Sequence, residues 1–403
     1  MDGFDPLSPD FARDPYPAYA ALRAERGPVH FPDFDVWLLS RFADVSAAAL
    51  DGRLTRTLDE TTEDADARKR AANWHDMPHH ARFVQFSLLD SDGPVHDRLR
   101  RLVMREFSPA AIARLKDATA EHVKHLLDAA LDRGEIDFVE DFAAHVPGHI
   151  IGRMLGVPDE DCPRLRTWSE NIVQYFDIDR SDAKKALAEN TTAEFYAYLK
   201  TLAAVRRRDP QDDIVSRLAA AQDAGALSHD EFISTCMLIL MAGHGSTIDA
   251  MASGLHALLA APDQMARLRA DPSLMPSAVQ EMFRFESPLP FFHRYASQDL
   301  EIAGRRFARG EKLGLLYGAA NRDPAQFADP DRFDAGRTPN RHLGFGNGAH
   351  FCLGNHVSRM DMEIVFAGLL SRARAIQLLE PPAWRPGLAA RGPQSLKIGL
   401  LPA

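Results

Sequence analysis

The sequence predicts a mainly α fold: one α-rich domain with a small β subregion. Three observations point there. Apolar residues recur at helical spacing from residue 96 to about 379. Short β-like runs occur only toward the two ends. No internal repeat, low-complexity tract or Ser/Gly linker divides the chain. At 403 residues a prior of about 150 per domain would permit two or three domains. The missing linker favours a single domain over 1–403.

The elements follow in order. Residues 1–27 mix Pro and Asp with short helical pieces. Val29-His30-Phe31 and Val36-Trp37-Leu38-Leu39 read as a strand pair around a turn at Pro32-Asp33. From Ser40 to about Ala81 the chain is polar; an acidic run (59–66) and Arg68-Lys69-Arg70 read as a solvated helix. Residues 115–131 and 195–205 carry helical periodicity. Ser228-His229-Asp230-Glu231 fits a capping box, and no proline follows until Pro262. The spacing therefore predicts one helix over about 229–260, roughly 48 Å long at 1.5 Å per residue. Its centre, Ala242-Gly243-His244-Gly245-Ser246-Thr247, is a poor helix former. It reads as a kink, a close packing point, or a groove for a flat ligand. β-like runs return at 300–303, 312–317 and 396–400, so the β-rich part is placed mainly at about 28–40, 298–318 and 390–403.

Composition narrows the function. Apolar residues are 45% and charged residues 26%, ordinary for a globular protein. The 47 basic against 57 acidic residues give a net charge of −10, which disfavours nucleic acid as a partner. Three scattered cysteines (Cys162, Cys236, Cys352) cannot build a disulfide scaffold and fit a reducing compartment. The N-terminus lacks the basic start and apolar run of a signal peptide. The longest apolar run, 232–243, falls short of the roughly 20 residues of a membrane span. The expectation is a cytoplasmic protein with no membrane partner.

The most informative stretch is Phe345-Gly346-Asn347-Gly348-Ala349-His350-Phe351-Cys352-Leu353-Gly354. Glycines permit tight turns and close backbone approach. Cys352 stands just before a helical pattern (357–370), where a helix N-terminus and nearby N–H groups stabilise a thiolate. Such a thiolate suits the axial position of haem iron.

This string resembles the haem-binding loop of the cytochrome P-450 family, with Cys352 as the iron ligand and Phe345, Gly346, His350 and Gly354 beside it. Glu281-x-x-Arg284 resembles the family's helix motif, and Arg337 matches the arginine that completes its ion pair. Asn321-Arg322-Asp323-Pro324 resembles the turn before it. His96-x-x-x-Arg100 resembles the helix that holds haem propionates; Arg294 and His350 match the other partners. The helix with Ala242 and Gly243 resembles the one over the distal haem face. Asp14-Pro15-Tyr16-Pro17 is similar to soluble bacterial members. The resemblance implies a single haem-thiolate domain, haem b between the long helix and the Cys352 loop, and insertion of one atom of O2 into a substrate.

One departure matters. Where the family has an acid followed by threonine, this chain has Gly245 and Ser246, then Thr247. Gly245, Ser246 and Thr247 are the catalytic candidates, and Asp249 is a possible recruiter of water. Three chemistries stay open: monooxygenation with Ser246 and ordered water, use of peroxide, or chemistry that needs no such relay.

Pocket candidates are Trp74, Met77, Phe83 and Phe86; Leu238 and Met241; Leu289, Pro290, Phe291 and Phe292; and the turn 391–395. Their apolar, aromatic character points to a small hydrophobic substrate, aromatic or terpenoid-like. No flavin or iron–sulfur domain is fused, so the expected partners are a ferredoxin-type donor and its reductase. Arg101, Arg105, Arg341 and Arg359 are candidates for its docking face. A non-catalytic haem sensor and a zinc site at His122-x-x-His125 or His75-x-x-x-His79 are the alternatives from other classes.

Overall fold

The computed structural model describes residues 4–57 and 65–403. Residues 58–64, which include most of the acidic run 59–66, lie outside the described residues. By contacts the chain forms two compact units interleaved in sequence. One comprises residues 1–54, 112–146 and 246–403, and the other 55–111 and 147–245.

The first unit carries the sheets. Val29–Phe31 pairs antiparallel with Val36–Leu39, around a turn in which Asp35 takes a left-handed φ of 43°. Val36–Leu39 runs parallel to Lys312–Leu316, which pairs antiparallel with Phe291–Ala296. A further sheet has Lys397–Pro402 between Glu135–Asp137 and Ala373–Leu378. Three of these strands lie outside the β-rich stretches that the sequence marks, and Glu135–Asp137 is one of them. Phe291–Ala296 precedes the second stretch, and Ala373–Leu378 falls in a region read as helical. Below the sheets, helices Lys116–Arg133, Met275–Phe285 and Asn355–Arg372 bury Val123, Leu127, Val279, Met282, Val365 and Phe366 in one cluster.

The second unit is helical: Pro78–Gln85, Gly93–Met104, Cys162–Val173, Asp182–Arg208 and Ile214–Asp223. The long helix spans His229–Leu259, 31 residues, with Gly245 and Ser246 at the division between the units. Its capping box forms in both directions. Glu231 N–H donates to Ser228 Oγ (3.2 Å), and Ser228 N–H donates to Glu231 Oε2 (2.7 Å). Among the described residues, no helix is long and apolar enough to cross a membrane.

Candidate active site

The Cys352 loop is shaped by backbone demands. Gly346 and Gly348 have φ of +69° and +72°, a region costly for residues with a Cβ. A Cβ on Gly348 would also stand 2.5 Å from the Ala49 carbonyl oxygen. Cys352 N–H donates to Phe345 O (2.9 Å) and closes the loop on itself. Asn355 Nδ2 donates to Cys352 O (2.9 Å), and Gly354 caps the helix Asn355–Arg372. Below the loop, Asn321 Oδ1 accepts from Leu343 N–H (2.7 Å), while its Nδ2 donates to Ser287 (2.8 Å). The Phe345 ring packs on Phe283 with centroids 4.4 Å apart.

The three cysteines sit in different fields. Burial and two aspartates push the Cys162 thiol up to about 11, and burial with Asp213 pushes Cys236 up further. Cys352 is half-buried at a helix N-terminus, within the field of the Arg359 guanidinium. That guanidinium lies 4.8 Å from the Phe345 ring centroid. A helix N-terminus and a cation favour the thiolate form.

Behind the loop, Glu281 and Arg284 are both fully buried and paired twice, at 2.7 and 2.8 Å. Arg337 Nε donates to both Glu281 oxygens (3.1 Å), Asn340 Nδ2 to Oε2 (3.1 Å) and Asp334 N–H to Oε1 (2.9 Å). Arg284 Nη1 reaches the carbonyls of Asn321 and Pro330, both at 2.8 Å. One carboxylate thus joins the helix Met275–Phe285 to the irregular segment that leads into the Cys352 loop. Burial draws the Arg284 pKa down against the opposing pull of Glu281.

The poor helix formers at the centre of the long helix separate into different roles. Gly243 is a packing glycine: a Cβ there would stand 2.7 Å from Ile151 Cδ1. The His244 ring is buried, with Cε1 3.0 Å from where a Cβ on Gly148 would be. Gly245 differs, because a Cβ there would meet no atom within 4 Å. Ser246 is half-buried, and Thr247 Oγ1 lies 3.2 Å from Ser358 Oγ. Asp249 is paired to Arg385 (2.9 Å), and Gly392 leaves room for its carboxylate. Ala242 continues the helix without interruption.

The remaining sequence candidates fall as follows. His96 is buried on Gly93–Met104, its Nδ1 3.2 Å from Asp97, and Arg100 is half-buried one turn on. Arg294 is buried on Phe291–Ala296, its Nη1 donating to His293 O (2.9 Å). His350 ends a 3-10 turn at Gly348–His350 and is half-buried. Trp74 and Phe83 join a cluster that sequence reading missed: His80, Tyr175 and Phe176. Phe86 is half-buried; Leu238, Met241 and Pro290 are buried. Phe291 and Phe292 lie on opposite faces of their strand. Phe291 covers Gly314, whereas strand alternation puts Phe292 on the side of Arg294, beside Tyr317. Arg101, Arg105 and Arg341 are exposed, whereas Arg359 is half-buried with its guanidinium over Phe345. Two of the four histidines read as zinc candidates have partners of their own. His122 meets the His145 carbonyl at 3.0 Å and His79 meets Glu189 at 2.7 Å.

Comparison with known proteins decides the family. The cytochrome P450 family model matches residues 62–376. The chain belongs to the cytochrome P450 family. It is similar to the biotin biosynthesis cytochrome P450 of Bacillus subtilis (strain 168), at 34% identity over 93% of this chain and 92% of that one. It is 35% identical to the cytochrome P450 monooxygenase PikC of Streptomyces venezuelae, over 97% of this chain and 92% of that one. Among solved structures it resembles P450BioI, determined with an acyl carrier protein ligated to hexadec-9Z-enoic acid. That match has a TM-score of 0.90 and 31% identity, covering 97% of this chain and 99% of that one. As a cytochrome P450, the chain is an oxidoreductase that incorporates oxygen into small molecules, and its cofactor is haem held by a cysteine thiolate.

The residues present fit that group. Cys352 offers a half-buried thiol beside a guanidinium, and a Cβ on the nearby Gly354 would meet nothing within 4 Å.

Proposed function

We propose that this chain is an O2-using haem-thiolate monooxygenase of a small, largely apolar substrate, fed electrons by a separate ferredoxin-type donor and its reductase. The observation that carries this reading is the closed Cys352 loop, with its thiol half-buried at a helix N-terminus and a guanidinium nearby. Cys352 ligates iron, and bound haem supplies the oxygen-activating chemistry. Arg294 and His350 serve its carboxylates as charge-assisted donors, and His96 and Arg100 are assigned the same task by resemblance. Phe345, Gly346 and Gly354 keep the loop open to the ring, and Ala242 and Gly243 keep the helix backbone slim. Ser246 positions a proton-carrying hydroxyl in the reacting region, and the space at Gly245 admits water to it.

The aromatic group around Trp74 and Phe83, with Leu238, Met241, Pro290 and Phe292, favours an apolar substrate body. The similar structure determined with an acyl carrier protein ligated to hexadec-9Z-enoic acid favours an extended acyl chain among such substrates. The test is titration of the haem spin state. Myristic acid is expected to shift it at lower concentration than naphthalene or camphor. The reverse order would return the substrate to the aromatic or terpenoid-like class.

A second reading, use of peroxide, is favoured by the glycine at 245, since peroxide arrives with its own protons. Reductant-driven turnover below peroxide-driven turnover, with a competent donor present, would select it.

A further inference from the structure

The guanidinium near Cys352 has a consequence for the bound iron as well as for the thiol. We propose that Arg359 is a positioning residue that acts through Cys352: its half-buried positive charge raises the reduction potential of the iron held there. Arg359 stands on Asn355–Arg372, seven residues after Cys352. Its guanidinium lies 4.8 Å from the Phe345 ring centroid, and its Nε is buried with no hydrogen-bond partner among the described residues. Burial draws its pKa down, and of the two charges that pull the other way Cys352 acts more strongly than Glu363. A cation held partly out of water acts on its neighbours through a lower dielectric, and salt screens it less than it screens a surface charge.

One residue ties this charge to the sulfur. Cys352 N–H donates to Phe345 O (2.9 Å), so the residue whose ring meets the guanidinium also holds the backbone of the cysteine. That ring is packed by Phe283, with centroids 4.4 Å apart, and by His342 at 5.7 Å. His342 Nδ1 accepts from Gly344 N–H (3.0 Å), which leaves the imidazole proton on Nε2, 3.0 Å from Gln280 Oε1. The imidazole is therefore neutral and adds no second cation beside Phe345. A planar guanidinium stacks on an aromatic face, whereas an ammonium is a strongly hydrated point charge on a flexible stem. The place over Phe345 therefore suits arginine better than lysine.

The sign of the charge fixes the direction. In the reduction step one electron passes from the ferredoxin-type donor, which is oxidised, to the bound iron, which is reduced from ferric to ferrous. No bond forms or breaks and no proton moves, so the site gains one negative charge. A fixed cation favours the more negative state, and Arg359 therefore favours reduction. Groups behind the ligand and the burial around it are the means by which a protein sets such potentials.

The inference rests on Cys352 as the iron ligand, and its test separates the two. Haem-loaded, substrate-free wild type, Arg359→Gln, Arg359→Lys and Arg374→Gln are compared by potentiometric titration and by the carbon monoxide difference band. Arg374 is an exposed charge two residues past the same helix. At a fixed poise, Arg359→Gln is expected to lower the ratio of reduced to oxidised iron about tenfold, or about 59 mV for one electron, with the thiolate band retained. Arg359→Lys keeps a charge that moves toward water, so its ratio should fall between those of the glutamine variant and wild type. Arg374→Gln should stay within about twofold of wild type, because its charge is screened. The proposal is overturned if Arg359→Gln reduces like wild type, if Arg359→Lys falls as far as Arg359→Gln, or if Arg374→Gln shifts as far as either. Where Arg359→Gln takes up no haem, the lysine variant decides: a ratio below wild type supports the proposal, and one equal to wild type overturns it. A wild type with the band of histidine-ligated haem removes Cys352 as the ligand and the proposal with it.

Discussion

Replacing Glu281 with alanine is the perturbation the structure makes most severe. The carboxylate accepts from five donors: Arg284 Nε and Nη2, Arg337 Nε, Asn340 Nδ2 and the Asp334 N–H, at 2.7–3.1 Å. Neither Glu281 nor Arg284 has any exposed side-chain surface. A buried pair of this kind need not add net stability, but loss of one partner strands the other. Breaking such a pair costs about 3–5 kcal/mol. Folded proteins have about 5–15 kcal/mol in total, so Glu281→Ala removes about a fifth or more of the margin. With a urea slope near 3 kcal/mol/M, the unfolding midpoint falls by about 1 M or more. Asp334 and Asn340 belong to the segment that leads into the Cys352 loop, so haem incorporation should fail as well. The assay is urea unfolding followed in parallel with haem content. A midpoint within about 0.2 M of wild type, or holoprotein recovered at wild-type yield, would refute the reasoning.

Other outcomes follow from single contacts. Gly243→Val should cost about 1–3 kcal/mol by overpacking Ile151, whereas Gly245→Ala should be neutral or gain up to about 1 kcal/mol from helix propensity. Equal effects in thermal melts would contradict that division of roles. His80 is buried among rings, and burial pulls its pKa down to about 4 from 6.5. Because the folded form resists protonation, stability is fully present above pH 6.5 and is lost as pH falls toward 4. The loss approaches about 1.4 kcal/mol per pH unit. His342, drawn down to about 3 chiefly by burial, adds to the same limb. His80→Phe should flatten the dependence of the urea midpoint on pH between 4 and 6.5; an unchanged slope would sink the assignment. Removing haem should lower the thermal midpoint, since the ligand stabilises only the folded state.

Features written locally were legible. The capping box at Ser228 and Glu231 needs four consecutive residues, and the loop around Cys352 needs ten. Glu281 and Arg284 stand one helical turn apart, and Arg337 was reached through family resemblance rather than periodicity. What the sequence left undecided depends on partners distant in the chain. Gly243 and Gly245 look alike in sequence, and only Ile151 tells the packing glycine from the open one. Thr247 and Ser358 are separated by 111 residues, and no motif links them. Arg359 read as a surface charge because periodicity does not report that its guanidinium turns onto Phe345. The strand Ala373–Leu378 was hidden by its place at the end of a helix, Asn355–Arg372, that runs directly into it.

The account stands on Cys352 as a thiolate ligand to haem. The most direct measurement is the carbon monoxide difference spectrum of the reduced, purified protein. The account predicts a strongly red-shifted Soret band that Cys352→Ser and Cys352→His abolish. A band at the position of histidine-ligated haem, or one that survives the loss of Cys352, would contradict it.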